Sequence, residues 1–335
     1  MHDSKHIVIL QSAHYHNDDR VFYHQAKTLT ERGHQVEIYD CVAFQQFQPT
    51  TADIYIVDTP RAMWKVRNTT AKIIYDITEW YPSKKNLRHL RWAKVSKAIL
   101  LTLANLWAGI RADAFIFGEV HKAAPFRFLF PQKPAIELSY YPSINYIPTS
   151  PARDISKQCH MLYAGPLTKE KGFYRTLETV TLVAQRLPEI QWHLTIISPT
   201  PYTPEALPKN LQISTHNPLP FNEFCNQLPQ YDLFLDLRDI DFENTRCLPI
   251  KLFYYMAAGR PSIFSQLQAI NQGVPEIHQC AQLVHSAVEA ADAIAEYVTS
   301  PQQYITHCKR ARQLATTQYN WENIHHQLIQ LINEL

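Results

Sequence analysis

Residues 243 to 261 read Glu243-Asn-Thr-Arg-Cys-Leu-Pro-Ile-Lys-Leu-Phe-Tyr-Tyr-Met-Ala-Ala-Gly-Arg-Pro261. Both ends of a helix are written into this stretch. Pro249 suits the first helical position, where a missing N–H costs nothing. Gly259 suits the left-handed residue just past the end, and Pro261 forbids continuation. The spacing predicts a helix of about two and a half turns. Leu252, Phe253, Met256 and Ala257 recur at helical spacing and should bury one face. The polar loop Glu243-Asn-Thr-Arg246 lies ahead of the free N–H groups of the first turn, and Lys251 sits inside that turn. Free amides, the helix dipole and an ammonium at one end suit a phosphate or diphosphate, although an ordinary helix in an α/β layer reads the same way.

Outward from this helix, short apolar runs alternate with helical patterns. In the first half the runs are 6–12, 36–39, 53–58, 72–76, 113–117 and 135–139. The pattern restarts at 161–166 and continues through 192–197, 211–215, 232–236 and 281–285. Strand alternating with helix predicts parallel sheets covered on both faces, with ligands at the carboxyl ends of the strands. The first helix spans about 20–32 and closes at Gly33. Between the halves, Pro148, Pro151 and the polar residues through Ser156 read as a linker. The expected division is 1–151, 152–318 and a final helical segment, 319–335.

A chain of 335 residues is long enough for two cores, and 46% hydrophobic with 19% charged residues fits a folded globular protein. A net charge of +2 gives no general electrostatic footprint for nucleic acid, so no nucleic-acid partner is expected. The six cysteines are scattered without a Cys-x-x-Cys pair, which fits a reducing cytoplasm, and His6-Ile-Val-Ile-Leu is too short for a signal peptide. With 7 glycines against 22 prolines, neither a G-x-G-x-x-G loop nor a P-loop is present, which counts against a dinucleotide oxidoreductase and a P-loop kinase.

Several loops carry candidate chemistry. In His14-Tyr-His-Asn-Asp-Asp-Arg20, Asp18 or Asp19 can cap the following helix, and His14 and His16 lack a third metal ligand nearby. In Asp76-Ile-Thr-Glu-Trp-Tyr-Pro82, the carboxylates of Asp76 and Glu79 could orient or deprotonate a substrate hydroxyl, or cap and pair structurally. In the second half, the turn at Gly165 and then Lys171-Gly172 before a helix bring a cation and backbone N–H groups together, a reasonable diphosphate site. Asp239-Ile-Asp241 reads as a loop or cap rather than a metal motif, and no metal is expected. From Lys84 to Arg111 there are seven basic residues and no acid, and Ala98 to Ile110 is apolar. That apolar run is shorter than the roughly twenty residues needed to span a bilayer, so an interfacial element or a core helix with a basic end fits it.

Asn244 followed by Leu-Pro-x-Lys-Leu-Phe-x-Tyr-Met-Ala-Ala-Gly-x-Pro resembles the donor-binding helix of glycosyltransferase family 4. Asp19-Arg-Val-Phe with Gly33-His, the segment Asp76 to Pro82, Tyr163-x-Gly165 with Lys171-Gly172, and Tyr319-Asn-Trp-Glu322 are similar to other parts of that family. The resemblance touches nearly the whole chain. It implies an α/β chain of the GT-B fold, two doubly wound Rossmann-like domains facing across a cleft, with the final helix crossing back to the first.

The activity implied is transfer of a sugar, with retention and without a metal or other cofactor, from a nucleotide-sugar to a hydroxyl of a glycan or lipid-linked acceptor. Glu79, Asp76, Glu243 and Arg246 are the catalytic candidates that follow. Gly165, Lys171, Gly172, Ser198, Leu219, Pro220, Asn244, Pro249, Lys251 and Tyr254 are the donor-binding candidates. A cytoplasmic protein touching the inner face of the membrane through 84–110 completes the expectation. The chain departs from the family at Thr78, where His is common, and at Tyr254, where a ribose-binding Glu is usual. Those departures favour the alternative of a non-catalytic nucleotide-sugar-binding or scaffolding subunit. Another GT-B-like enzyme, an epimerase or a phosphorylase, is a third reading.

Overall fold

The computed structural model describes residues 4–12, 18–78, 87, 93–204 and 206–335. Each apolar run forms a strand within it. In the first half these are β1 (His6–Leu10), β2 (Gln35–Tyr39), β3 (Ile54–Val57), β4 (Lys72–Ile77), β5 (Ala114–Phe117) and β6 (Ala135–Glu137). The second half supplies β7 (Gln158–Ala164), β8 (Gln191–Ile197), β9 (Leu211–His216), β10 (Leu233–Asp236), β11 (Ser262–Ser265) and β12 (Ala281–Val284). They make two six-stranded sheets, ordered β2-β1-β3-β4-β5-β6 and β12-β11-β10-β7-β8-β9, with all pairings parallel.

The chain forms two compact units, Met1–Tyr140 with Trp321–Leu335, and Tyr141–Asn320. In the first, successive strand residues feed opposite faces, because the side-chain period of a strand is two. Val8, Tyr55, Tyr75 and Phe115 face one core, while Ile7, Ile9, Ile56 and Ile116 face another. Trp321, Leu328, Leu331 and Ile332 cover the second of these, so the helix Trp321–Glu334 packs on the first sheet. The Trp321 indole donates to Thr28 Oγ1 at 2.8 Å, and Lys5 Nζ donates to the Ile332 carbonyl at 2.6 Å.

The change of unit falls before the Pro148–Pro151 stretch, not within it. Tyr141 packs edge-on against Phe253 and Tyr319. The buried Arg260 donates to the carbonyls of Ser150 and Pro151 at 3.1 and 3.0 Å. Composition reads as a linker there, but these bonds tie the segment to the second unit.

The first helix also differs from its expected form. Asp19–Ala26 is a π-helix, and only Lys27–Glu31 is α-helical. Asp18 caps it by accepting from Val21 N at 3.2 Å. The i→i+5 winding puts Arg20 and Gln25 on one face, where both donate to Oδ2 of Asp76. His24, on the same element, lies 5.2 Å from the Trp321 ring.

Burial, with the Arg20 charge beside it, pushes the His24 imidazole down to about 3 from its ordinary 6.5. A histidine whose folded pKa is depressed leaves its contribution intact above about 6.5 and loses it as pH falls towards 3. Unfolding free energies from urea melts should therefore drop between pH 7 and pH 4.5, by at most about 1.4 kcal/mol per pH unit from this group. His24→Gln should flatten that slope; an unchanged slope would contradict the assignment.

Candidate functional site

The second sheet reverses its strand order between β7 and β10, and open α/β sheets bind ligands outside the carboxyl ends of the strands at such a point. Three pieces of chain meet there. The helix Lys251–Ala257 is fixed to one face of the sheet by Tyr255, whose ring stacks on Phe234 at 4.0 Å and 6°. Lys251 lies one turn earlier on the same helix face and reaches the strand ends.

The Lys251 ammonium donates to the carbonyl of Ala164, the last residue of β7, and lies 3.6 Å from Oδ2 of Asp236, the last residue of β10. Gly165 follows in the left-handed region at φ 154°, and a Cβ there would stand 3.4 Å from the Lys251 nitrogen. Glycine thus leaves one side of the ammonium open. The Lys251 side chain as a whole remains 31% exposed, while its ammonium is set among the strand ends.

Asp236 is buried, and Arg238 grips it with both arms, at 2.8 Å from Nε and 2.7 Å from Nη2. Burial alone would raise the Asp236 carboxyl, but Arg238 and Lys251 outweigh it and hold the group at about 2. Burial acts against the charge of Arg238 as well, and Asp236 more than restores it. At Lys251 burial wins: the amine sits below the usual lysine range, Asp236 pulling upward while Arg238 and Lys171 add to the depression.

The loop after β10 is pinned from below. Gly172, at φ 78°, caps the helix Phe173–Arg186, and a Cβ on it would stand 2.1 Å from the Leu237 carbonyl carbon. Arg175 donates to the carbonyls of Leu237 and Arg238 at 3.3 and 3.1 Å, and Ser265 Oγ donates to the Arg238 carbonyl at 2.6 Å. Asp239 pairs with Arg175 at 3.3 Å, and Asp241 Oδ1 accepts from the amides of Glu243 and Asn244 at 2.9 and 2.8 Å. Both acids of the Asp-x-Asp run therefore have structural partners. Among the described residues no group of three or more His, Cys, Asp or Glu converges as a metal site.

The other sequence candidates fall in varied places. Asn244 is buried in a 3-10 turn, and its Nδ2 has no hydrogen-bond partner among the described residues. Glu243 immediately precedes that turn and is half-buried. Lys171, just before Gly172, pairs with Glu170 at 3.0 Å. Arg246 is exposed and folds back on its own loop, 3.8 Å above the Phe242 ring and 3.0 Å from the Phe242 carbonyl.

The α-helix begins at Lys251 rather than at Pro249. Leu252 N bonds to the Pro249 carbonyl in a tighter first turn that the proline starts. Every residue from Leu252 to Ala257 is buried, not one face alone, because the helix is enclosed within the unit. Tyr254 packs edge-on against Phe221 at 6.2 Å. Ser198 is buried in a turn, its Oγ accepting from Thr200 N at 3.3 Å, while Leu219 is half-buried and Pro220 caps the helix Phe221–Gln227.

In the first unit Asp76 is fully buried, with Oδ2 bound by Arg20 and Gln25 and Oδ1 without a partner among the described residues. Glu79, His14 and His16 lie outside the described residues. The sequence reading passed over Asp236 and Arg238. The available signal was an acid in the last position of an apolar strand with an arginine two residues on.

The architecture is that of the GT-B glycosyltransferases. Among solved structures the chain is similar to sucrose-phosphate synthase from Thermosynechococcus elongatus, with TM-score 0.69, 14% identity, and 98% of each chain covered. It is also similar to Anabaena HepE in complex with UDP-glucose, with TM-score 0.64 and 15% identity over 99% of this chain and 100% of that one. A glycosyltransferase from Rickettsia africae aligns with TM-score 0.63 at 9% identity, covering 99% and 98%. No protein-family model and no curated protein matches the sequence. The family 4 resemblance therefore rests on the motifs themselves.

Of the seven glycines, Gly172 has the closest backbone against it. Gly172→Ala would combine a strained positive φ with a clash against backbone, and should cost about 3 kcal/mol or more. Denaturant melts check this, and a loss below about 1 kcal/mol would contradict the close approach to Leu237.

Proposed function

We propose that the chain transfers a sugar from a nucleotide-sugar to a hydroxyl of a glycan or lipid-linked acceptor, with retention and without a metal ion or other cofactor. The observation that carries the reading is the Lys251 ammonium beside the side-chain-free Gly165 turn, at the switch point of the second sheet. A cation there can bind the donor diphosphate and offset the charge that develops as it departs. Asn244 Nδ2 offers a buried donor with no partner among the described residues, which a bound ligand could satisfy. Lys171 and Gly172 lie on the neighbouring turn. HepE, of the same fold, binds UDP-glucose, which favours a uridine donor. Glu79 remains the candidate for orienting the acceptor, whereas Asp76, fully buried and held by Arg20 and Gln25, serves as a brace for its strand rather than as a group that meets the acceptor.

Lys251→Ala should weaken UDP binding by roughly 1–3 kcal/mol by calorimetry while the fold survives. Product formation from a nucleotide-sugar and acceptor should survive EDTA. Binding without turnover over a broad acceptor panel would favour the scaffolding reading instead, and consumption of donor without acceptor would favour an epimerase.

The reading includes a cytoplasmic protein whose first unit touches an anionic membrane through 84–110. Among the described residues no helix is long and apolar enough to cross a membrane. Val95, Ile99, Leu103, Leu106 and Ile110, spaced to share one side of the helix Lys94–Arg111, are between 36% and 72% exposed. Trp64, 56% exposed, packs on Trp107 of that helix, and Arg67 lies 4.2 Å above its ring. Lys94 and Lys97 continue the basic run, while Lys84, Lys85, Arg88 and Arg91 lie outside the described residues. Exposed aliphatic side chains, an indole and cations without acids fit a headgroup boundary. The protein should sediment with vesicles rich in anionic lipid, and less so in high salt. Leu103→Glu with Ile99→Glu should abolish this. Indifference of the wild type to such vesicles at low salt would refute the membrane contact.

A further inference from the structure

Lys251 stands in a place that works against its charge, and one buried acid answers that. An ammonium has three donors. The Ala164 carbonyl takes one, Asp236 Oδ2 at 3.6 Å attracts the nitrogen from beneath, and the absent side chain of Gly165 leaves the remaining side open. Arg238 occupies both oxygens of the same carboxylate, so Asp236 is shared between two cations.

We propose that Asp236 is a positioning residue: its carboxylate fixes the Lys251 ammonium against the Ala164–Gly165 turn and maintains the charge with which that group meets a diphosphate. The inference rests on the donor-binding reading of Lys251. Arg238 keeps the carboxylate ionised, and at the same time competes with Lys251 for it. The charged or titratable groups around Lys251 are Asp236 and Arg238 after β10, Lys171 with its partner Glu170, and the phenol of Tyr163, which would lie 3.7 Å from a Cβ on Gly165. Tyr255 on the same helix, and Cys247 in the loop before it, reach the Asp236–Arg238 pair. Among these, Asp236 is the acid that pulls the Lys251 amine upward against burial. Without it the neutral amine takes over at lower pH, and affinity for an anion is lost as pH rises.

The test is calorimetry with UDP and with inorganic pyrophosphate from pH 6.5 to 9, each variant compared with wild type at the same pH so that titration of the ligand cancels. For Asp236→Asn the ratio of Kd to wild type should rise with pH across that range, by at most tenfold for each pH unit by which the amine falls. Adding Lys251→Arg should remove the pH dependence, because guanidinium does not titrate there. A uniform loss at every pH would mean a merely structural role, and failure of arginine to remove the trend would also overturn the proposal.

Should Asp236→Asn not fold, Arg238→Gln frees the carboxylate for Lys251. The pH profile of trace acetylation at Lys251, read by mass spectrometry, should then move upward. A profile unmoved or moved downward would overturn the proposal. If wild type and Lys251→Ala bind neither UDP nor pyrophosphate differently, the donor-binding reading itself is at fault. That outcome is distinct from the others.

Discussion

Taking a carboxylate out of water costs several kcal/mol unless cations meet it, and the ligand edge of the second unit is arranged around that constraint. Asp236 is buried at the end of β10, with Arg238 returning from two residues on to bind both its oxygens and Lys251 arriving from the following helix. Tyr255 stacked on Phe234 holds that helix in register, and Gly172 lets the next helix approach the Leu237–Arg238 backbone closely. Each of these contacts serves one result: two cations and one acid share an enclosed corner, with the smallest residue, Gly165, beside one of the cations.

That corner explains how a chain with few glycines can offer a phosphate site. No glycine-rich loop wraps an anion here. A lysine is carried in on a helix that is buried from Leu252 to Ala257, and a single glycine at 165 keeps space beside it. Placement by a packed helix suits transition-state stabilisation, which works best when charges need no rearrangement as the reaction proceeds. In the first unit a buried charge pair, Arg20 with Asp76, similarly braces the strand end from which Glu79 follows in the sequence.

Much of the fold was legible because parallel strands buried on both faces read as continuous apolar runs, and prolines and glycines mark where helices stop. Gly259 shows the left-handed φ of 69° that its position called for. Lys251, Gly165 and Gly172 were legible as well, since each stands at a turn between a strand and a helix or at a helix start. The π-winding of Asp19–Ala26 was not, because eight residues cannot separate one helical period from another. Nor was the attachment of 141–151 to the second unit, which depends on Arg260, distant in sequence. Asp236 and Arg238 were missed for a related reason: an acid that ends a strand with an arginine two residues on looks like the start of any polar loop. Only tertiary burial makes the pair consequential.

The most direct measurement is an experimental structure of the protein with UDP bound. The account predicts the diphosphate beside the Gly165 turn, with an oxygen within hydrogen-bonding distance of Lys251 Nζ and Asp236 beneath that nitrogen. A diphosphate bound remote from Lys251, with the ammonium still turned only to Ala164 and Asp236, would contradict it.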